Sequence, residues 1–432
     1  MSPPVRPSVY GVYVLLVILT ASVLPPAHAQ SETDDLSGVR VRLNHQSVLR
    51  SAQLEVEDGP LRVRLPSGGS VMRLNAGETS TLGLRQNEVS IRHGEKGLYA
   101  TRLHLQPSQD DATWTLSFEN REDRTYTGGL YVAPASQPQS SLLVVNDVPI
   151  EDYVASVVAS EYGLDDTEGA KAMAVVARTY GLFTSEKFGG AYDKADGTAS
   201  QVYEGVGAVT EASKQAARAT DGEVLTYDGN LIQAVYFSSS GGHTADNEAV
   251  WKAKKPIPYL RGKKDPYDTG SPHHNWTTTM RRQSVLRALT RHRGTSVEGF
   301  TINDRSPDGR VKSVNVLQSN GGRHVMSANA FRLLVNREVD GASLKSTFFD
   351  ARRRGSEYVF DGHGFGHGVG LSQWGAHAMA EQGKSYREIL RFYYTGVEIE
   401  KIGGVEFDPV DAPVAKEPAV TRSDTTDRRI GW

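Results

Sequence analysis

Glu161 follows Val158, Val157 and Val154 by three, four and seven residues. On a helix that spacing sets its carboxylate on the face the three valines share. A carboxylate aimed at a core is costly unless it is paired or neutral. Full burial raises a carboxyl pKa by up to ~3–5 units. A carboxyl still protonated near neutral pH has the state needed to protonate a leaving glycosidic oxygen. The competing reading is a helix end where Glu161 reaches water or pairs with Arg178. Tight pairing with that cation would lower the acid's pKa and work against a general-acid role.

Other groups carry weaker chemistry. His243, His273, His274, His363 and His367 invite a metal reading, but the i, i+4 pair His363/His367 sits among alternating glycines that disfavour a helix. No metal or other cofactor is expected. Ser238-Ser239-Ser240 lacks the Gly-x-Ser-x-Gly elbow of a serine nucleophile. Polar contacts from this serine run to sugar hydroxyls are the milder reading. From Gly362 to Gly370 glycine occupies every second position. Read as an extended chain, one face is bare backbone and the other carries His363, Phe365, His367 and Val369. That is either a groove wall for a long polar substrate, with Gln373 and Trp374 beside it, or a tightly packed internal strand with a turn.

The elements that must hold these groups are legible in outline. Residues 36–132 alternate apolar and polar with period two (Val39, Val41 and Leu43; Leu61, Val63 and Leu65; Trp114, Leu116 and Phe118), which predicts β-structure with one wet face. A helix starts near Asp147, with Pro149, Glu151 and Asp152 in its first turn, and Gly163 can end it. A second runs from about Asp166 to Lys187 with a narrow face of Ala170, Met173, Ala174 and Ala177. Asp228-Gly229 predicts a hairpin between residues 223–227 and 231–237. Helices are expected at 280–292, 373–382 and 386–394, and strands at 300–302 and 311–316.

The chain has 432 residues, 48 basic and 51 acidic, for a formal net charge of -3. That balance argues against a nucleic-acid partner held by phosphate neutralisation. With no cysteine, neither a disulfide nor a lipid-modified cysteine is possible. Arg6, an apolar run over residues 9–24 and Ala27-His28-Ala29 read as an export signal over residues 1–29. The run is short of the ~20 residues that span a bilayer. The expected product is exported, to a periplasm, cell envelope or extracellular space, without a stable membrane span; a retained anchor is the alternative.

Ordered blocks carry a family resemblance. They are residues 145–153, Val157-Val158-Ala159-Ser160-Glu161, residues 170–176 leading into Ala177-Arg178-Thr179-Tyr180, and Ser200-Gln201-Val202-Tyr203-Glu204-Gly205. Phe237-Ser238-Ser239-Ser240-Gly241-Gly242-His243-Thr244, Pro258-Tyr259-Leu260 and residues 364–376 follow in order. Together they resemble the stage II sporulation protein D (SpoIID/LytB) family from about residue 144 to residue 399. The resemblance implies a peptidoglycan lytic transglycosylase. Such an enzyme cleaves the bond between N-acetylmuramic acid and N-acetylglucosamine without water and leaves a 1,6-anhydro end. The catalytic acid falls on Glu161. Arg178, Tyr259 and Asp265 are expected beside it, with Gln201, Tyr203, Ser239, Ser240, Gly241, Gly242, His367, Gln373 and Trp374 toward the glycan strand. Trp374 either stacks on a sugar face or packs in the core. Other relatives are described as enhancers of cell-wall amidases, so a non-catalytic wall protein with an amidase partner is the alternative.

The expected fold is α+β: a β-rich part (residues 30–139), a mixed helix and sheet domain with a glycan-binding groove (residues 140–405), and a disordered tail (residues 406–432). Three positions depart from the family pattern. Ala199 and Ser200 replace the His-Cys pair of zinc-binding members, Tyr162-Gly163 follows the acid in place of Met-Pro, and His363 stands where an arginine is usual.

Overall fold

The computed structural model describes residues 38–402, except 67, 120, 137–139, 184–187, 189 and 252–254. The expected signal and tail therefore lie outside the described residues.

The period-two region forms two antiparallel sheets sharing one core. The six-stranded sheet runs in the order 124–127, 113–117, 51–58, 79–85, 88–93, 96–100. The seven-stranded sheet runs 194–195, 38–42, 142–149, 129–134, 103–107, 61–64, 70–74, with the outermost 194–195 pairing parallel. Leu54, Val56 and Leu82 of the first meet Leu61, Val63 and Leu105 of the second, all fully buried. Alternate positions point outward, as the pleat requires.

The strand Leu142–Pro149 links this sandwich to the helices. It pairs antiparallel with Gly38–Arg42 on one side and Gly129–Pro134 on the other. Asp147 is therefore a strand residue, not a helix cap. The first helix, α1, is Ile150–Glu161 and begins directly after Pro149. Pairing on both edges outweighs the capping signal at Asp147. The second helix, α2, is Thr167–Leu182, capped by the Asp166 carboxylate, which accepts from the Gly169 N–H at 2.5 Å. It ends at Leu182, and most of the expected extension to Lys187 lies outside the described residues.

Helix α3 (Glu211–Ala219) packs across α1 and α2. Asp228 and Gly229 both take positive φ, 50° and 78°, which gives the expected hairpin. Its second arm is shorter than expected. It breaks after Leu231, and Tyr236–Phe237 pairs in parallel with Leu371–Ser372. After the short helix α4 (Asn247–Val250), the chain makes an excursion with its own core. There, α5 (Arg282–Arg293) and α6 (Ala328–Glu338) flank two three-stranded sheets around Phe300, Phe331, Phe349 and Phe360. The chain returns through residues 364–370 into α7 (Gln373–Glu381) and α8 (Tyr386–Tyr393), both packed on α2. The molecule is mixed α+β, as the sequence predicts.

Candidate active site

Glu161 is the last residue of α1 and is 5 % exposed. Its Oε1 accepts from the Val202 N–H at 2.7 Å. Its Oε2 is buried and has no hydrogen-bond partner. Burial pushes the carboxyl from its ordinary 4.5 up to about 7, against the lowering effects of the Val202 N–H and of the Tyr236 hydroxyl, which lies beside it. The Glu204 charge adds to the rise. Gln373, first residue of α7, donates from Nε2 to the Glu161 carbonyl at 2.9 Å. The acid is thus fixed at its backbone by α7 and at one oxygen by the 201–205 segment, with the other oxygen uncommitted.

Arg178 is not its partner. The guanidinium is fully buried and pairs with Glu151 on the first turn of α1, Nη2 to Oε2 at 2.6 Å and Nε to Oε1 at 2.8 Å. It also donates to the carbonyls of Ala217 and Glu223 at 3.2 and 3.0 Å. Arg178 therefore ties α1, α2 and α3 together at the end of α1 opposite Glu161, and the cation that would depress the acid is spent elsewhere.

The other expected residues divide into three groups. Gln201 reaches the acid's neighbourhood: its Oε1 accepts from Tyr153 at 2.7 Å and its Nε2 donates to the Tyr236 hydroxyl at 3.3 Å. Tyr203, from the same block, is fully buried, bonds Asn146 at 2.7 Å and stacks on Tyr153 with ring centroids 5.5 Å apart. It is a core residue that pins the sandwich to α1. Tyr259 is half-buried, accepts from the Gln233 N–H at 3.2 Å and packs on Tyr227. The hydrogen bonds of both go to groups other than the Glu161 carboxyl.

Within the fold the serine run is held by a buried aspartate. Asp268, fully buried, accepts from Ser239 Oγ at 2.9 Å, Ser240 N at 3.0 Å, Gly241 N at 2.7 Å and Ser372 Oγ at 3.1 Å. His274 adds a contact at 3.2 Å. Gly242 N donates to Ser240 Oγ at 3.1 Å. Ser372 caps α7, whose next residue, Gln373, holds Glu161. Asp268 is thus a hub that sequence reading missed. Its neighbour Asp265 was singled out, and it is buried too, with Oδ1 on the Tyr267 N–H at 3.1 Å and Oδ2 on the Tyr393 hydroxyl at 3.0 Å. Burial, then the Asp268 charge, raises the Asp265 pKa.

The glycine run is not an extended strand. The strand Glu357–His363 ends at its start, and Gly364, Gly366, Gly368 and Gly370 take positive φ of 69°, 105°, 89° and 80°. A Cβ on Gly370 would stand 2.0 Å from the Val235 carbonyl oxygen, and one on Gly364 would stand 2.5 Å from that of Ser239. Backbone of residues 235–241 thus fills the space beside Gly364 and Gly370, and the Arg310 guanidinium fills that beside Gly368, so these glycines are tightly packed. His367 is half-buried between Phe237 and Trp251, at ring distances of 5.5 and 5.2 Å. Trp374 is half-buried, edge-on to His377. Among the described residues, no group of three or more His, Asp or Glu side chains is placed to hold a metal ion.

Comparison with known proteins bears on the same residues. The model described as "SpoIID: Stage II sporulation protein" matches residues 138–227, the span holding Glu161, Arg178 and Gln201. Stage II sporulation protein D of Bacillus amyloliquefaciens is 32 % identical over 307 residues, covering 65 % of this chain and 83 % of that protein. The chain belongs to the stage II sporulation protein D family. The protein of that name from Bacillus subtilis (strain 168) is 31 % identical over 295 residues, 81 % of its length. Another family relative from that organism, named "Amidase enhancer", is 32 % identical over 277 residues, which is 38 % of its length. A second model, described as a domain of unknown function, matches residues 258–370, which span the excursion with its separate core.

Proposed function

We propose that this chain is an exported peptidoglycan lytic transglycosylase with Glu161 as acid and then base. The observation that carries the reading is the state of that carboxyl: buried, pushed up to about 7, one oxygen held by Val202 and the other uncommitted. A proton on Oε2 passes to the glycosidic oxygen as the bond from C1 of N-acetylmuramic acid breaks, its electron pair leaving with that oxygen. The sugar's own 6-hydroxyl then attacks C1 and returns its proton to Oε2. The acid is regenerated, no water is consumed and a 1,6-anhydro end remains. General acid catalysis supplies ~10²–10⁴-fold, so the rest must come from distortion and charge stabilisation in the site. On this reading residues 140–405 carry the glycan site, residues 30–139 brace it, and residues 1–29 direct export.

The test is product analysis with purified peptidoglycan, intact and stripped of stem peptides. Wild type should release 1,6-anhydro-N-acetylmuramic acid ends, and Glu161→Gln should bind strands but release none. Equal release by the two proteins rejects the assignment. The relative named for amidase enhancement supports a second reading, a non-catalytic wall protein that stimulates an amidase. That reading gains if neither protein releases anhydro ends while both raise the rate of an added amidase.

A further inference from the structure

Tyr236 was not singled out by sequence, yet its phenol lies beside the Glu161 carboxyl. It is held at both ends. Tyr153 donates to Gln201 Oε1, which turns the amide so that its Nε2 donates to the Tyr236 oxygen. An amide nitrogen can only donate, and a phenol has one proton to give. With its oxygen already accepting from Gln201, the Tyr236 proton is free to point at the carboxyl. At the other end, His367 Nδ1 accepts from the Val369 N–H at 3.1 Å, so its proton sits on Nε2. That proton is donated to the Tyr236 carbonyl. Burial, with Arg310 and Arg332 nearby, pushes His367 down to about 3, so the ring stays neutral and keeps this tautomer. Burial also holds the Tyr236 phenol well above its ordinary 10.0, so it keeps its proton.

We propose that Tyr236 is a further catalytic residue of this site, donating a hydrogen bond to the Glu161 carboxylate once the acid has discharged. The proposal rests on the glycan-cleaving reading above. In the structure Oε2 is buried and has no hydrogen-bond partner within normal geometry, so it is the oxygen left open to a donor. After the proton leaves, a bare carboxylate stands in a buried site with the Val202 N–H on Oε1. Glu204 and Tyr153 bear on the same site, and neither brings a positive charge. An uncompensated buried anion is costly, and a preorganised donor aimed at developing charge lowers that cost without reorganising. The Tyr236 hydroxyl is that donor. Its own proton never leaves oxygen. The bond relaxes when the sugar 6-hydroxyl returns a proton to Oε2, so nothing is consumed.

Tyr236→Phe keeps the ring and removes the donor. Loss of one such donor costs about 10²-fold in kcat. KM should change little, and the alkaline limb of the pH–rate profile should move to higher pH, because the ionised acid loses a stabilising bond. A readout independent of turnover is carbon NMR titration of the Glu161 carboxyl, its signal assigned by its loss in Glu161→Gln. Its pKa should rise further in Tyr236→Phe. Tyr153→Phe leaves Tyr236 in place but frees Gln201 to turn, and should shift the titration the same way by less. If Tyr236→Phe does not fold, Tyr153→Phe decides. An unmoved Glu161 titration in the folded variants, or an unchanged kcat in Tyr236→Phe, overturns the proposal. Undiminished product release by Glu161→Gln overturns the underlying reading instead.

Discussion

Replacing Glu161 with glutamine should change how stability depends on pH, by an amount the structure sets. The carboxyl titrates at about 7 when folded against 4.5 ordinarily. Between those values the folded state holds more protons than the unfolded state, so wild-type stability falls as pH rises. The contribution is fully present below 4.5 and lost as pH passes through about 7. At 1.36 kcal/mol per pKa unit the total is about 3 kcal/mol. His367 acts in the opposite sense. Its folded value of about 3 lies below its ordinary 6.5, so its contribution is lost as pH falls through that range. Over the shared window the two slopes oppose each other, so the wild-type curve alone does not isolate Glu161. Subtracting the Glu161→Gln curve removes His367 and every other common group. Urea denaturation at half-unit steps from pH 4.5 to 8 should show the difference, wild type minus variant, falling by about 3 kcal/mol and levelling above pH 7. A flat difference, or one that rises with pH, would refute the argument that burial dominates this carboxyl.

Two further perturbations test the frame around the acid. Glu151→Ala strands the Arg178 guanidinium, which is fully buried, and should cost about 3 kcal/mol by denaturation, whereas Glu151→Gln combined with Arg178→Met should lose much less. Gly370→Ala forces a side chain onto a φ of 80° and against the Val235 carbonyl. It should cost about 3 kcal/mol and displace the strand that carries Tyr236, with a loss of product release at least as large as that of Tyr236→Phe.

Glu161 was legible because helix periodicity is local: three valines at fixed offsets define a face whatever the rest of the chain does. Its relation to Arg178 was not, because a cation on α2 can meet any carboxylate along α1, and Glu151 on the first turn takes it. The glycine alternation misled for a different reason. Period two in glycine fits an extended strand, but it equally fits a loop that needs a positive φ at every second residue, and only the packing of residues 235–241 decides between them. The sandwich could be read strand by strand, because alternation marks one wet face. The pairing of Gly38–Arg42 with Leu142–Pro149 spans more than a hundred positions and left no local trace. Asp268 escaped notice because a lone aspartate gives no sign that two hydroxyls and two amides converge on it.

A raised pKa alone would not select the acid. Among the described residues five carboxylates are buried: Glu161, Asp196, Glu223, Asp265 and Asp268. Asp196 meets His45 and two backbone amides, and Glu223 meets Arg387 and Tyr386. Asp268 is the acceptor hub of the serine loop. In those three the carboxylate oxygens already meet donors in the fold. Asp265 is raised as Glu161 is, by burial first. Its two oxygens are both committed, however, to Tyr267 and Tyr393, so a proton there has no open direction in which to leave. Only Glu161 of the five combines a carboxyl pushed up to about 7 with one fixed oxygen and one uncommitted oxygen. The general-acid role proposed for Glu161 needs that asymmetry: the held oxygen would set the carboxyl's direction, and the other would deliver the proton.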